Sequence, residues 1–209
     1  VFIVFQVGHF VKADFLTSYS YDSSFENLNV DPTLEHQIII DEDNAIELNY
    51  FLGNGYKVDI LNKPGKSGYP ETMETLIGEP RVILFREVNT SSLLKIKGWK
   101  VRLGSENIWK LNIFSMDSIF YLDNMNLTSS AFSGTGEIYL GSNLDLNNLV
   151  LNGEYIVTVS KDLPIVVKGK AEVPPTWLNA TVGYLNQYDE TYKLEIEIID
   201  GSEVIFNDG

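Results

Sequence analysis

The residues of this chain that could do chemistry are carboxylates, aromatic rings and polar turns. Thiols are absent: with no cysteine there is no disulfide framework, no thiolate metal site and no cysteine nucleophile. The two histidines, His9 and His36, lie far apart, and no HExxH pair exists to hold zinc. In a strand-rich chain each reads as a structural residue. Asp41-Glu42-Asp43 offers hard oxygen at a loop, which makes Asp41 and Asp43 the candidate calcium ligands. The loop lacks the spaced ligands and closing Glu of an EF-hand, so solvated acids are the plainer reading. Gly65-Lys66-Ser67 ends like a phosphate loop, but Ile60 stands where the earlier glycine must be. Gly53-Asn54-Gly55 and Gly134-Thr135-Gly136 lack the third glycine of a dinucleotide fingerprint and read as turn glycines. There is no GxSxG elbow for a serine nucleophile. Among 29 acids, candidate carboxylate pairs for glycoside chemistry arise too easily to count. The chain therefore reads as no enzyme, with no resident cofactor unless calcium sits at the acidic loop.

Aromatics offer a second chemistry. Trp99, Trp109 and Trp177, with 11 Tyr and 11 Phe, are material for a sugar-binding platform. Trp99 and Trp109 lie on alternating strands, where the core is the default. Trp177 follows Pro174-Pro175-Thr176 and is the better surface candidate. Asn89, Asn126 and Asn179 head glycosylation sequons, but composition alone yields about two such triplets, so their number is no signal. Glycans would be carried only by an exported chain.

The charge balance is acidic, with 15 basic and 29 acidic side chains and a net charge of −14. That argues against a general nucleic-acid binder, which needs clustered Lys and Arg. Residues 1–50 hold nine acids against one base, and residues 81–110 hold seven bases against two acids. Opposite fields can steer copies head to tail. The plainer reading is pairing within one molecule. No apolar run approaches the length of a membrane-spanning helix.

The elements that must position these residues read as strands. Leu194-Glu195-Ile196-Glu197-Ile198, Ile46-Glu47-Leu48-Asn49-Tyr50 and Trp109-Lys110-Leu111-Asn112-Ile113 alternate apolar and polar, as half-buried strands do. Asn54-Gly55, Asn152-Gly153 and Asp200-Gly201 suit type I′ turns and predict hairpins. The best helical signal is residues 70–77, two turns at most. No repeat of fixed period stands out. The expected fold is all-β: an antiparallel, jelly-roll-like β-sandwich with minimal helix and an extended apolar N-terminal strand. The expected organisation is an apolar strand over 1–14, a Ser- and Asp-rich connector over 15–35, and the sandwich over 36–209. Val1, Phe2, Ile3, Val4, Phe5 and Val7 are apolar on both faces of a period-2 pattern, and such a strand must be covered on both sides. A start at Val1 rather than Met fits removal of a signal peptide and an extracellular or cell-surface setting.

The two-faced apolar segment 1–7, the loose connector and the acidic, cysteine-free β-pattern resemble subunits of donor-strand surface filaments, such as archaeal threads and bundling pili. That resemblance implies a homopolymer, built head to tail as residues 1–7 enter the groove of a neighbouring copy. Phe132-Ser133-Gly134-Thr135-Gly136-Glu137-Ile138-Tyr139-Leu140, with the turn at Asn152-Gly153, is similar to a unit of the TRAP-like β-sandwich mitochondrial-biogenesis family over residues 132–170. The expected function is a structural subunit of a surface assembly. The alternative is an exported module binding glycan or calcium, and ordinary first-strand pairing of residues 1–7 within their own chain stands against donation.

Overall fold

A β-strand of 15 residues is about 50 Å long when straight. β8 (Ile108–Leu122) is such a strand, and β10 (Ser130–Leu140) lies parallel beside it, with Phe132 next to Ile113. The seven residues between them reach back at most about 25 Å, so β8 cannot be straight. It bends at Asp117, whose φ is 54°. β10 bends at Gly134 (φ 112°), and β11 (Asn148–Val159), parallel beside β10, bends at Gly153 (φ 139°). Each coil runs out along one wall, turns the corner, runs along a second wall and returns. Ala131 beside Asn112 and Ser130 beside Leu149 give an offset of 19 residues per coil. These three strands stack as parallel coils within one large mixed sheet.

The structure is a computed structural model describing residues 23–41, 45–61, 70–75, 81–87, 98–187 and 192–209. Further coils extend the stack both ways. β2 (Glu35–Asp41) lies along the first half of β8 and β3 (Ala45–Phe51) along the second. β6 (Arg81–Glu87) and β7 (Gly98–Gly104) lie outside those two. On the other side β15 (Leu194–Ile198) and β16 (Glu203–Asp208) flank the two halves of β11. β12 (Ile165–Lys168) lies outside β15. The short β9 (Asn126–Leu127) pairs with the start of β8. Antiparallel strands close the ends. β4 (Tyr56–Leu61) pairs with β7, β1 (Ser23–Asn27) with β4, and β5 (Pro70–Thr75) with β6. At the far end β14 (Gly183–Leu185) pairs with β12, and β13 (Leu178–Ala180) with β14.

The interior is filled by two columns of apolar side chains that meet. Ile40, Ile113, Phe132, Leu151 and Ile198 stack in register on the first wall. Leu48, Phe120, Ile138, Val157 and Phe206 stack on the second. All are buried, and the rings of Phe120 and Phe132 stack across the interior at 4.5 Å. Each such side chain contributes about 1.5–3 kcal/mol by burial. The corner is packed backbone to backbone. A Cβ on Gly134 would sit 1.9 Å from the Ser115 carbonyl oxygen, and one on Gly153 would sit 1.9 Å from that of Gly134. Ser118 seals the same corner: its Oγ accepts the Ile46 N–H at 2.9 Å and donates to Ser115 Oγ at 2.8 Å.

The all-β expectation holds, and no helix occurs among the described residues. The antiparallel jelly-roll pairing does not, because the central strands run parallel. The alternating pattern constrains which face is wet but not which neighbour a strand takes. The expected hairpins fail for the same reason. β3 and β4 flank Asn54-Gly55 yet have β7 between them. Asn152-Gly153 lies inside β11, and Asp200-Gly201 takes the same corner one coil further on. A corner glycine needs the positive φ that a type I′ turn needs, so the two share a signature. Residues 70–75 of the expected helix are strand β5, where ladder pairing to β6 overrides a weak helical signal. Of the expected connector, residues 23–27 form β1, and Val30 is buried.

Candidate functional site

Filling the interior leaves chemistry to the outer faces. On the second wall, register aligns two outward columns. One runs Glu47, Ile119, Glu137, Ile156, Ile205, and the other Tyr121, Tyr139, Thr158, Asn207. Parallel neighbours lie about 4.8 Å apart, which is ring-stacking distance. The rings of Tyr121 and Tyr139 accordingly stack at 5.0 Å with planes 16° apart. Tyr139 donates its hydroxyl to Glu137 Oε2 at 2.6 Å. That bond, then burial and the Glu137 charge, push its pKa up to about 12. Burial, with the Glu47 and Glu137 charges, also raises Tyr121, against an opposing pull from Lys100.

The next rung of the tyrosine column is Thr158, a small side chain. Here a shallow groove of about 290 Å³ opens, lined by Tyr121, Tyr139, Asp123, Thr158 and Ser160 among others. Asp123 is held at its rim, with Oδ1 accepting the Asn143 N–H at 3.1 Å and Oδ2 accepting the Asn124 side-chain amide at 2.9 Å. The exposed lining of the groove is mostly apolar, with Tyr121, Tyr139 and Leu140 along it.

The residues singled out from the sequence distribute differently. Trp99 and Trp109 are core, as expected. Trp177 is not the surface aromatic expected: it is 8% exposed, tilts against Phe206 and donates its indole N–H to Asp208 at 2.8 Å. The turn after Pro174 folds it back over the last coil. His36 is buried against Trp109 and donates Nε2–H to the Asp31 carbonyl at 2.7 Å, a structural role. Asp41 is exposed at the end of β2, and no cluster of three metal-ligating side chains occurs among the described residues. Asn179 is exposed on β13, and Asn126 is half-buried in β9. His9, Asp43, Asn89 and the residues expected to self-assemble, Val1, Phe2, Ile3, Val4, Phe5 and Val7, lie outside the described residues. The opposite charge blocks meet within the molecule where Lys100 pairs with Glu47 at 2.6 Å; Arg102 pairs with Asp59, outside the acidic block, at 2.6 Å. Sequence reading missed Tyr121 and Tyr139. They lie 18 residues apart, one rung after the bulge at Gly134–Gly136, a signal legible only once the register is known.

The fold is all-β, one large mixed sheet with a paired Tyr121 and Tyr139 on one outer face. No family model and no curated protein matches the sequence. Neither filament subunits nor the TRAP-like family is thereby shown. Among solved structures the chain is similar to a "putative cell adhesion protein" from Clostridium sporogenes ATCC 15579. The TM-score is 0.66 at 15% identity, over 89% of this chain and 98% of that one. At that identity the likeness is one of fold. No helix among the described residues is long and apolar enough to cross a membrane.

Proposed function

We propose that this chain is a non-enzymatic surface module that acts in adhesion and assembly through its outer sheet faces and sheet edges. The observation that carries this reading is the filled cross-section. Phe120 and Phe132 meet across the interior, so contact with a partner falls to the walls and ends. The clostridial protein of similar fold, named for cell adhesion, supports a surface role.

The mode of self-association in this proposal is β-strand addition. Residues 1–7 supply an apolar strand that needs cover on both faces. Among the described residues β13 pairs only with β14 and forms an outer strand at one end of the ladder. Leu178 and Val182 are exposed beside that edge, 39% and 47% respectively. A neighbour's strand added there continues the ladder and covers both side chains, giving a head-to-tail homopolymer. Size exclusion and negative-stain microscopy of the full chain and of a variant lacking residues 1–10 test this. Filaments or oligomers from the full chain and a folded monomer from the variant support donation. Assemblies that persist unchanged overturn donation, and a variant that merely unfolds overturns it in favour of pairing within the chain.

A further inference from the structure

We propose that residues 169–177 form a strap that closes the β16 margin of the sheet against a second copy of the chain, which confines strand addition at this end of the molecule to β13. The inference deepens the strand-addition reading, on which it rests, by assigning the margin that a partner strand can use.

Among the described residues β16 is the outermost full strand of the second wall, with β11 on its inner side. An uncovered margin along its 6 residues would be a template for another chain. The chain returns to cover it. After β12, Gly169 turns the corner with a φ of +100°, and a Cβ there would lie 2.5 Å from the Ile198 carbonyl oxygen. Glu172 then comes beside Ile205, parallel to β16. Its N–H donates to the Val204 carbonyl and its carbonyl accepts the Phe206 N–H, each at 2.8 Å. Strand alternation makes the Phe206 carbonyl and the Asp208 N–H the next groups on this margin. Two residues after Glu172 the strap brings Pro174, which has no N–H to give. The Pro174 carbonyl accepts the Trp177 N–H at 3.0 Å, so the chain turns back after a single rung.

Side chains complete the closure. Ala171 and Val173 pack against the core, whereas Lys170 and Glu172 are exposed. Charges on an outer strand and proline within it both blunt an edge. Beyond the rung, Trp177 lies against Phe206 at 5.4 Å and donates its indole N–H to Asp208 Oδ1 at 2.8 Å, and Thr176 Oγ1 donates to Asp208 Oδ2 at 3.4 Å. The strap is thus pinned by the Glu172 backbone at one end and by the Trp177 side chain at the other. On the first wall the ladder instead runs on through β12, β14 and β13.

The test compares the full chain with Trp177→Ala, which removes the side-chain pin, and with Glu172→Pro, which removes one bond of the rung. Each is also combined with Asp208→Pro. That substitution takes a donor from the bared margin and spares the β11 ladder, where the Gly209 N–H makes the bond to the Val159 carbonyl. Sedimentation velocity over a hundredfold range of concentration follows association, and hydrogen-exchange NMR follows the Phe206 amide. In dilute solution that amide should exchange at least tenfold faster in each strap variant. Each variant should also self-associate at least tenfold more tightly than the parent, and Asp208→Pro should return it to the parent's behaviour. Three results overturn the proposal. The strap variants sediment as the parent does; or the added association survives Asp208→Pro, which assigns it to bared Phe206 rather than to the strand margin; or both variants unfold, which makes residues 169–177 part of the core. The parent's own oligomers report strand donation separately, so failure of that reading is distinguishable from failure of the strap.

Discussion

Tyr139 lies directly beside Tyr121 in the neighbouring coil, and their rings stack at 5.0 Å although they are distant in the sequence. Parallel register produces the contact: once two coils align, equal positions on the outer wall repeat at the strand spacing. The hydroxyl of Tyr139 then turns to Glu137, two residues back on the same face.

That hydrogen bond has a titration signature. A phenol whose folded pKa is raised from about 10 toward about 12 favours the fold fully below pH 10. The contribution is lost as pH rises from 10 to 12. Glu137→Gln removes the carboxylate charge and should bring one tyrosine back toward the ordinary range. Tyrosine ¹³Cζ shifts followed from pH 8 to 12.5 measure this. An unchanged Tyr139 midpoint in the variant would remove Glu137 as the cause.

Gly134→Ala should be severely destabilising. Its Cβ would fall 1.9 Å from the Ser115 carbonyl oxygen, and its φ is +112°. The backbone must move, at a cost of more than about 3 kcal/mol. Gly201→Ala is the control. It has positive φ but open space around the new Cβ, so about 1–2 kcal/mol of conformational strain is expected. Urea denaturation of the two variants should separate them clearly.

Ser118→Ala strands the Ile46 N–H in a buried corner. An unpaired buried donor costs about 1–3 kcal/mol. The Ile46 amide should also exchange with solvent faster, by hydrogen-exchange NMR, than amides on the walls of the same coil.

Asp208→Ala removes the acceptor of the Trp177 indole. A hydrogen bond to a charged group is worth about 1.5–3 kcal/mol, and the lower end is expected for an acid near the surface. Trp99 and Trp109 stay buried, so a red shift confined to one tryptophan's emission would report local loosening over the last coil. A shift in all three would show that Asp208 holds more than Trp177.

Some of this molecule was legible from neighbours along the chain. The alternation in Leu194-Glu195-Ile196-Glu197-Ile198 is strand β15, with its Leu and Ile buried. Trp99 and Trp109 entered the core because their strands alternate. The glycines at 134, 153 and 201 were rightly read as points where the chain turns. Each of these facts rests on side chains one or two residues apart, or on one residue's own φ, and local sequence encodes both.

Tertiary structure alone decided how the strands associate. Asn152-Gly153 turns a corner within a coil instead of closing a hairpin, Trp177 folds inward onto Phe206, and Tyr121 meets Tyr139. Those outcomes depend on pairings between strands far apart in the chain, at an offset of about 19 residues only among β8, β10 and β11, and no fixed period marks them. The interior asks only for an apolar side chain of fitting volume, and Ile113, Phe132 and Leu151 fill equivalent rungs without resembling one another. Strand identity was therefore readable from the chain, whereas strand partnership arose from packing between coils.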